Sequence, residues 1–227
     1  MDAFRENWRQ ILQAWGVTLE MVVIAGVLAL VIGSVMAALR VSPIRLGRGI
    51  GTFYVYTVRN TPLLVIMLIF AFGIPQLDIR PEVSLGDADL LKFNVFFIFA
   101  TSALGLYTGA FVCEALRSGI NAIPLGQAEA ARSIGMTFGQ SLREVILPQA
   151  FRTVLPPLAS ALIAMTKNSS VALGVGVTEA TFVMKKLTND YPPDLYTIFI
   201  GFALGYMTLV ALIALTSSLI ERKVTVA

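Results

Sequence analysis

Lys167, Asn168, Ser169 and Ser170 place a cation, an amide and two hydroxyls inside a stretch that is otherwise largely apolar from Val154 to Val177. Such a group binds more readily than it catalyses. A lysine ammonium offers a point charge to a carboxylate, and the amide and hydroxyls offer hydrogen bonds around it. Arg59 lies in a second apolar stretch, Phe53 to Ile74, and its planar guanidinium suits a bidentate carboxylate contact. Tyr107, Thr108 and Glu114 add two hydroxyls and an acid to a third stretch. Histidine is absent and Cys113 is the single cysteine, so the commonest metal ligand and general base is missing and no internal disulfide can form. No lysine follows a glycine, so a GxxxxGK[ST] phosphate loop is absent as well. These residues point to binding and passage of a solute rather than to bond-making.

The surroundings of these charges decide what they can do. Hydrophobic residues make up 56% of the 227 and charged residues 14%, against roughly 25% charged in an ordinary soluble domain. About 20 apolar residues cross a bilayer as a helix. Five stretches meet that length, at 17–39, 53–74, 93–112, 154–177 and 195–220, so the expected class is all-α, a polytopic membrane protein with one domain over 1–227. A charge at that depth costs at least about 2.5 kcal/mol and needs a partner, a cavity or an interface. Lys167 is about thirteen residues into its span, too far to reach back to the face where the span begins. It either lines a solute path, with Asn168 to Ser170 interrupting the helix near mid-membrane, or pairs with an acid to hold helices or subunits together. Arg59 is nearer an end and either reaches the interface or lines the same path. Glu114 either joins that lining or pairs locally with Arg117 at i, i+3.

Orientation follows from the basic residues. The loop from Arg40 to Thr52 carries Arg40, Arg45 and Arg48 and no acid, whereas 75–92 carries Asp78, Glu82, Asp87 and Asp89. Arginine retention on the cytoplasmic side then sets the amino terminus outside and the carboxyl terminus inside. The net charge of +3 is dispersed around span ends and makes no nucleic-acid surface. Phe4, Trp8, Ile11, Leu12 and Trp15 recur at helical spacing, so residues 1–16 read as an amphipathic helix lying along the outer lipid interface. Its apolar continuation exceeds a signal-peptide core and is expected to remain as the first span. Gly26, Gly33, Gly105, Gly109, Gly201 and Gly205 read as close-packing positions between helices.

Between the third and fourth spans lies a polar segment, 121–148, that the other spans do not need. Pro124 suits a first helical turn, Gly135 suits the left-handed residue after a helix end, and Thr137 with Gln140 reads as a capping box opening a second helix that Pro148 ends or kinks. The product is a helical hairpin on the cytoplasmic side. Ala128, Ala130 and Ala131 keep its first helix slim, and Glu129 and Arg132 add charge, as suits a helix seated in a groove of another protein.

The pattern Glu129-Ala130-Ala131, then Gly135, then Leu147-Pro148 resembles the cytoplasmic loop of the membrane-spanning subunits of bacterial ATP-binding-cassette importers, with Val145 where the family has Ile. Arg59-Asn60-Thr61-Pro62-Leu63-Leu64-Val65, Lys167-Asn168-Ser169-Ser170 and the run from Arg117 through Gln127 resemble the polar amino acid branch of that family. The likeness covers about residues 16–220. It implies a type I importer permease in the bacterial inner membrane, whose loop is a coupling helix in which Glu129, Ala130, Ala131, Arg132 and Gly135 contact an ATPase subunit. It also implies a second permease subunit, an extracytoplasmic binding protein, surrounding lipid, and ATP and Mg on the ATPase rather than any cofactor in this chain. Lys167, Asn168, Ser169, Ser170, Arg59, Tyr107 and Thr108 are then the expected path for a polar or charged amino acid, with glutamate favoured. A self-contained channel or ion-coupled transporter for a small anionic or zwitterionic solute is the other reading, and it leaves the hairpin without a task.

Overall fold

The computed structural model describes residues 2–79 and 94–226. The acids Glu82, Asp87 and Asp89 of the expected outer loop lie outside the described residues. Among the described residues nine α-helices follow in order: α1 Asp2–Val41, α2 Arg45–Arg59, α3 Leu63–Leu68, α4 Val95–Asn121, α5 Leu125–Ser133, α6 Phe138–Gln140, α7 Leu147–Asn168, α8 Ala180–Asp190 and α9 Leu195–Val226. No strand occurs among the described residues. Among the described residues four long apolar helical stretches are able to cross a membrane, Ala3–Val41, Val95–Asn121, Ser141–Val175 and Pro192–Arg222, and α2 with the segment from α3 to Leu77 is a bent pair with the length and composition of a broken crossing or a re-entrant loop.

Glycine contacts fix how the helices run. A Cβ on Gly105 would meet Leu28 at 2.8 Å, one on Gly109 would meet Ile32 at 3.2 Å, and one on Gly33 would meet Val112 at 2.5 Å, so α1 and α4 descend side by side in the same direction. Gly119 near the end of α4 abuts Val154 near the start of α7, and Gly26 faces Met165, so α7 runs back against both. Gly201 and Gly205 of α9 receive the rings of Phe4 and Trp15, which aligns α9 with α1. The chain therefore crosses back and forth, and the hairpin after α4 sits at the end opposite the amino terminus. Valine at Gly109 should force apart Ile32 and the Tyr54 hydroxyl, which lies 2.9 Å from that Cβ and donates to the Leu106 carbonyl at 2.6 Å. A loss of about 1–3 kcal/mol is expected for such overpacking. Alanine at Gly49, inside α2 with open space around it, should hold or raise the melting temperature in detergent, since alanine is the better helix former.

Three expected boundaries differ. The 53–74 span is two helices bent by 104°, because Pro62 has no N–H to continue α2 and holds the preceding residue out of helical geometry. Residues 1–16 are not a separate interfacial helix but the first turns of α1, broken in helical geometry only at Asn7 (φ −111°, ψ 15°). Ala3, Ile11 and Ala14 are buried against Ala180, Val183, Leu187, Ile198 and Phe202, and Trp15 stacks on Phe202 at 5.9 Å. Protein covers part of that apolar stripe, whereas Trp8 and Leu12 stay exposed on the outer face, a distinction that periodicity does not carry. Pro148 neither ends nor starts a separate span: a π-helical stretch, Ser141–Ile146, leads straight into α7, and its wider turn accommodates the proline's missing donor.

α8 is held at its start by its own N-cap side chain and by side chains from α1 and α9. Glu179, fully buried, accepts from the amides of Thr181 (2.8 Å) and Phe182 (2.9 Å) and from the Tyr206 hydroxyl (2.9 Å), and Thr18 of α1 accepts from the Ala180 amide at 3.0 Å. Burial pushes the Glu179 carboxyl above its ordinary range, against the pull of those donors.

Candidate solute cleft and docking hairpin

α4 presents Tyr107, Thr108, Phe111, Glu114, Ala115 and Ser118 along one face, and α7 presents Pro157, Ser160, Ala161, Ala164, Met165 and Asn168 along one face. Each set advances by three or four residues per turn, so each is a single stripe. Between the two stripes lies a cleft of about 610 Å³, closed on one side by Arg59. Its size is within the roughly 300–1,000 Å³ of small-molecule sites. Apolar walls with a few polar groups leave orientation to those groups.

Electrostatics inside the cleft centre on Glu114. Its carboxylate makes an ion pair with Arg40 of α1 and stands 3.8 Å from the Arg59 guanidinium. Arg40 is the more buried of the two arginines, 11% exposed against 44% for Arg59. Arg59 also lies over the Phe111 ring, 5.3 Å from its centre, a cation–π contact that holds the guanidinium at the wall. The expected local pair of Glu114 with Arg117 is not formed; two helices supply arginines across the bundle instead. Arg40 was legible in sequence only as part of an inner basic loop, and nothing in local spacing linked it to an acid 74 residues away.

Of the expected path residues, the cleft gathers Arg59, Tyr107, Thr108 and Asn168. Lys167 does not line it and is exposed, and Ser169 and Ser170 are turned to their own backbone. Ser169 donates to the Thr166 carbonyl at 2.8 Å and Ser170 to the Lys167 carbonyl at 2.7 Å. Those bonds compete with the helix ladder, and α geometry gives way after Asn168 to a 3₁₀ segment, Ser169–Val175, ended by Gly176 at φ +84°.

The two walls of the cleft are joined by the hairpin. α5 ends in a Schellman arrangement: the Met136 amide donates to the Ala131 carbonyl at 3.2 Å and the Gly135 amide to the Arg132 carbonyl at 3.0 Å, with Gly135 at φ +89°. The capping box is present, the Thr137 amide donating to Gln140 Oε1 at 2.9 Å and the Gln140 amide to Thr137 Oγ1 at 3.4 Å. Gly126, Glu129, Ala130 and Ser133 form an exposed stripe on α5, and Ile134 beside it is 79% exposed. Arg132 is exposed too, but Ala131 is 4% exposed and belongs to the interior of the hairpin rather than to its contact face.

A helical bundle with a mainly apolar cleft that carries a few polar groups, joined to a slim external hairpin, has counterparts among known proteins. The chain is 41% identical over 201 residues, 88% of its length and 87% of the relative's, to the glutamate transport system permease protein GluC of Corynebacterium efficiens. It is 35% identical over 209 residues, 92% of its length and 84% of the relative's, to the glutamate/aspartate import permease protein GltJ of Escherichia coli K12. A solved amino acid ABC transporter, crystallised with histidines, matches at a TM-score of 0.82 and 27% identity, covering 97% of this chain and 96% of that one. Residues 29–226 match the profile of one family along its transmembrane core and hairpin alike, and the chain belongs to that family, the binding-protein-dependent transport system inner membrane components.

Proposed function

We propose that this chain is the permease subunit of an ATP-driven importer for an acidic amino acid, glutamate in the first place. The observation that carries this reading is continuity: α4 and α7 are at once the two walls of the cleft and the two arms that the hairpin joins. Displacement of the hairpin therefore changes the spacing of the walls. An ATPase subunit, carrying ATP and Mg that this chain has no loop to hold, supplies that displacement by seating α5 in a groove. The Arg40 to Thr52 loop and the hairpin face the cytoplasm, the carboxyl terminus with them, and the amino terminus faces outward, where a binding protein delivers the solute. A second permease copy or a similar subunit completes the path. In the cleft, Arg59 takes the solute carboxylate, and Tyr107, Thr108 and Asn168 offer hydrogen bonds along its length. Glutamate is favoured because Arg40 already neutralises Glu114, the acid that lines the cleft, which leaves Arg59 in excess.

Purified with its ATPase subunit and placed in proteoliposomes with the cognate binding protein, the permease should show ATP hydrolysis stimulated by L-glutamate more than by L-arginine or neutral amino acids. Hydrolysis indifferent to every amino acid, or uptake that continues without the ATPase subunit, would favour the self-contained transporter.

A further inference from the structure

We infer that α8 carries a carboxylate-docking site for the incoming amino acid, separate from the cleft and preceding it on the path. α8 has two faces. Ala180, Val183 and Leu187 are buried against α1 and α9, while Phe182, Lys185, Lys186 and Asn189, at i, i+3, i+4 and i+7, line a pocket of about 360 Å³ with Leu173 as its other wall. Lys185 and Lys186 are both exposed, and neither forms an ion pair among the described residues. Asp190, one turn beyond Lys186, is exposed and makes no ion pair with it. Two ammonium groups without an acid among the described residues, an amide and two apolar walls fit a ligand with a carboxylate on a short aliphatic stem.

The pocket is rigidly mounted and well placed. Glu179, Thr18 and Tyr206 pin the start of α8, so its exposed face has a fixed position relative to α1 and α9. Leu173 of the pocket and Asn168 of the cleft are five residues apart on one continuous helical segment, with exposed Lys167 beside Asn168. A carboxylate moving inward meets Lys185 and Lys186 first and Arg59 last, and among the described residues no acid lines the α8 pocket to oppose it. Cationic clefts of this kind raise the local concentration and the arrival rate of anions by roughly tenfold or more. This inference rests on the proposed role as an amino acid permease, which sets α8 on the outer side.

The carboxylate has two possible sources, the amino acid in transit and acidic side chains of the docked binding protein, and the test separates them. The double variant Lys185→Gln/Lys186→Gln is compared with wild type in the full complex in proteoliposomes, with glutamate-loaded binding protein titrated to saturation. Glutamate taken up per ATP hydrolysed at saturation should fall about tenfold, with the half-saturating concentration of binding protein unchanged. Lys185→Arg/Lys186→Arg, which keeps both charges, should restore uptake, as a merely folded but inert surface would not require. Unchanged uptake overturns the inference. A shift confined to the half-saturating concentration overturns it too, and assigns the lysines to the binding protein. Failure of arginine to rescue a defective double variant also overturns it. Wild-type complex that transports no amino acid refutes the permease assignment itself, an outcome distinct from all of these.

Discussion

Tryptophan at Ala130 is expected to strip the ATPase subunit from the complex while leaving the permease folded. Ala130 is exposed on the stripe with Gly126, Glu129 and Ser133, where small side chains let a partner approach the α5 backbone. An indole there enters solvent in the free subunit, and exposed substitutions of that kind shift stability by no more than about 0.5 kcal/mol. At a contact face the same indole has nowhere to go, and losses of 2 kcal/mol or more are usual for central interface positions. Uptake should drop at least about 30-fold, the fold-change that 2 kcal/mol represents. Ala131→Trp makes the contrast: Ala131 is 4% exposed, so the substitution breaks the hairpin and lowers the melting temperature as well. Copurification and thermal unfolding of the two variants give the answer. An Ala130→Trp permease that retains its ATPase subunit and transports normally would remove α5 from the coupling path.

The hairpin was the most legible part of the chain because its determinants are local. Gly135 after a short helix, and Thr137 three residues before Gln140, specify caps within a few residues, and both appear in the structure as read. The spans were legible as composition but not as geometry. Pro62 was visible in the sequence, and Arg59, Asn60 and Thr61 before it interrupt the apolar run, yet neither composition nor period carries the 104° by which the backbone turns there. Depth along a helix gave Lys167 its prominence, but depth says nothing of azimuth. Adjacent residues point about 100° apart on an α-helix, and it is Asn168, eleven residues after Pro157, that falls on the cleft stripe. Glu114 illustrates the same limit across helices. Its near neighbour Arg117 was the visible candidate, and the partners that packing supplies come from α1 and α2. Glu179 left still less trace, since glutamate is not a favoured N-cap and its hydroxyl partner Tyr206 is 27 residues away.

The Arg40, Glu114 and Arg59 cluster should separate stability from transport when its members are removed singly. Glu114→Ala leaves the Arg40 guanidinium, 11% exposed, without its acid. The pair is part-buried, so the expected loss is that of a charge-assisted hydrogen bond, about 1.5–3 kcal/mol, rather than that of a fully buried pair. Thermal unfolding in detergent should register it as a drop of several degrees. Arg59→Ala removes a side chain that is 44% exposed and 3.8 Å from the same acid, a pair of the kind worth about 0–1 kcal/mol. The melting temperature should hardly move, yet uptake at saturating binding protein should fall by about tenfold to a hundredfold, because a charge-assisted contact to the solute carboxylate is worth roughly 1.5–3 kcal/mol. Arg59→Lys keeps the charge but not the planar fork, and should recover only part of that uptake. Wild-type uptake by Arg59→Ala would move the solute path out of the cleft. An unshifted melting temperature in Glu114→Ala would show that Arg40 satisfies its charge elsewhere. Both results can be read from the same two preparations, and a variant that loses stability and uptake together at Arg59 would mean that the guanidinium braces α2 against α4 instead of meeting the solute.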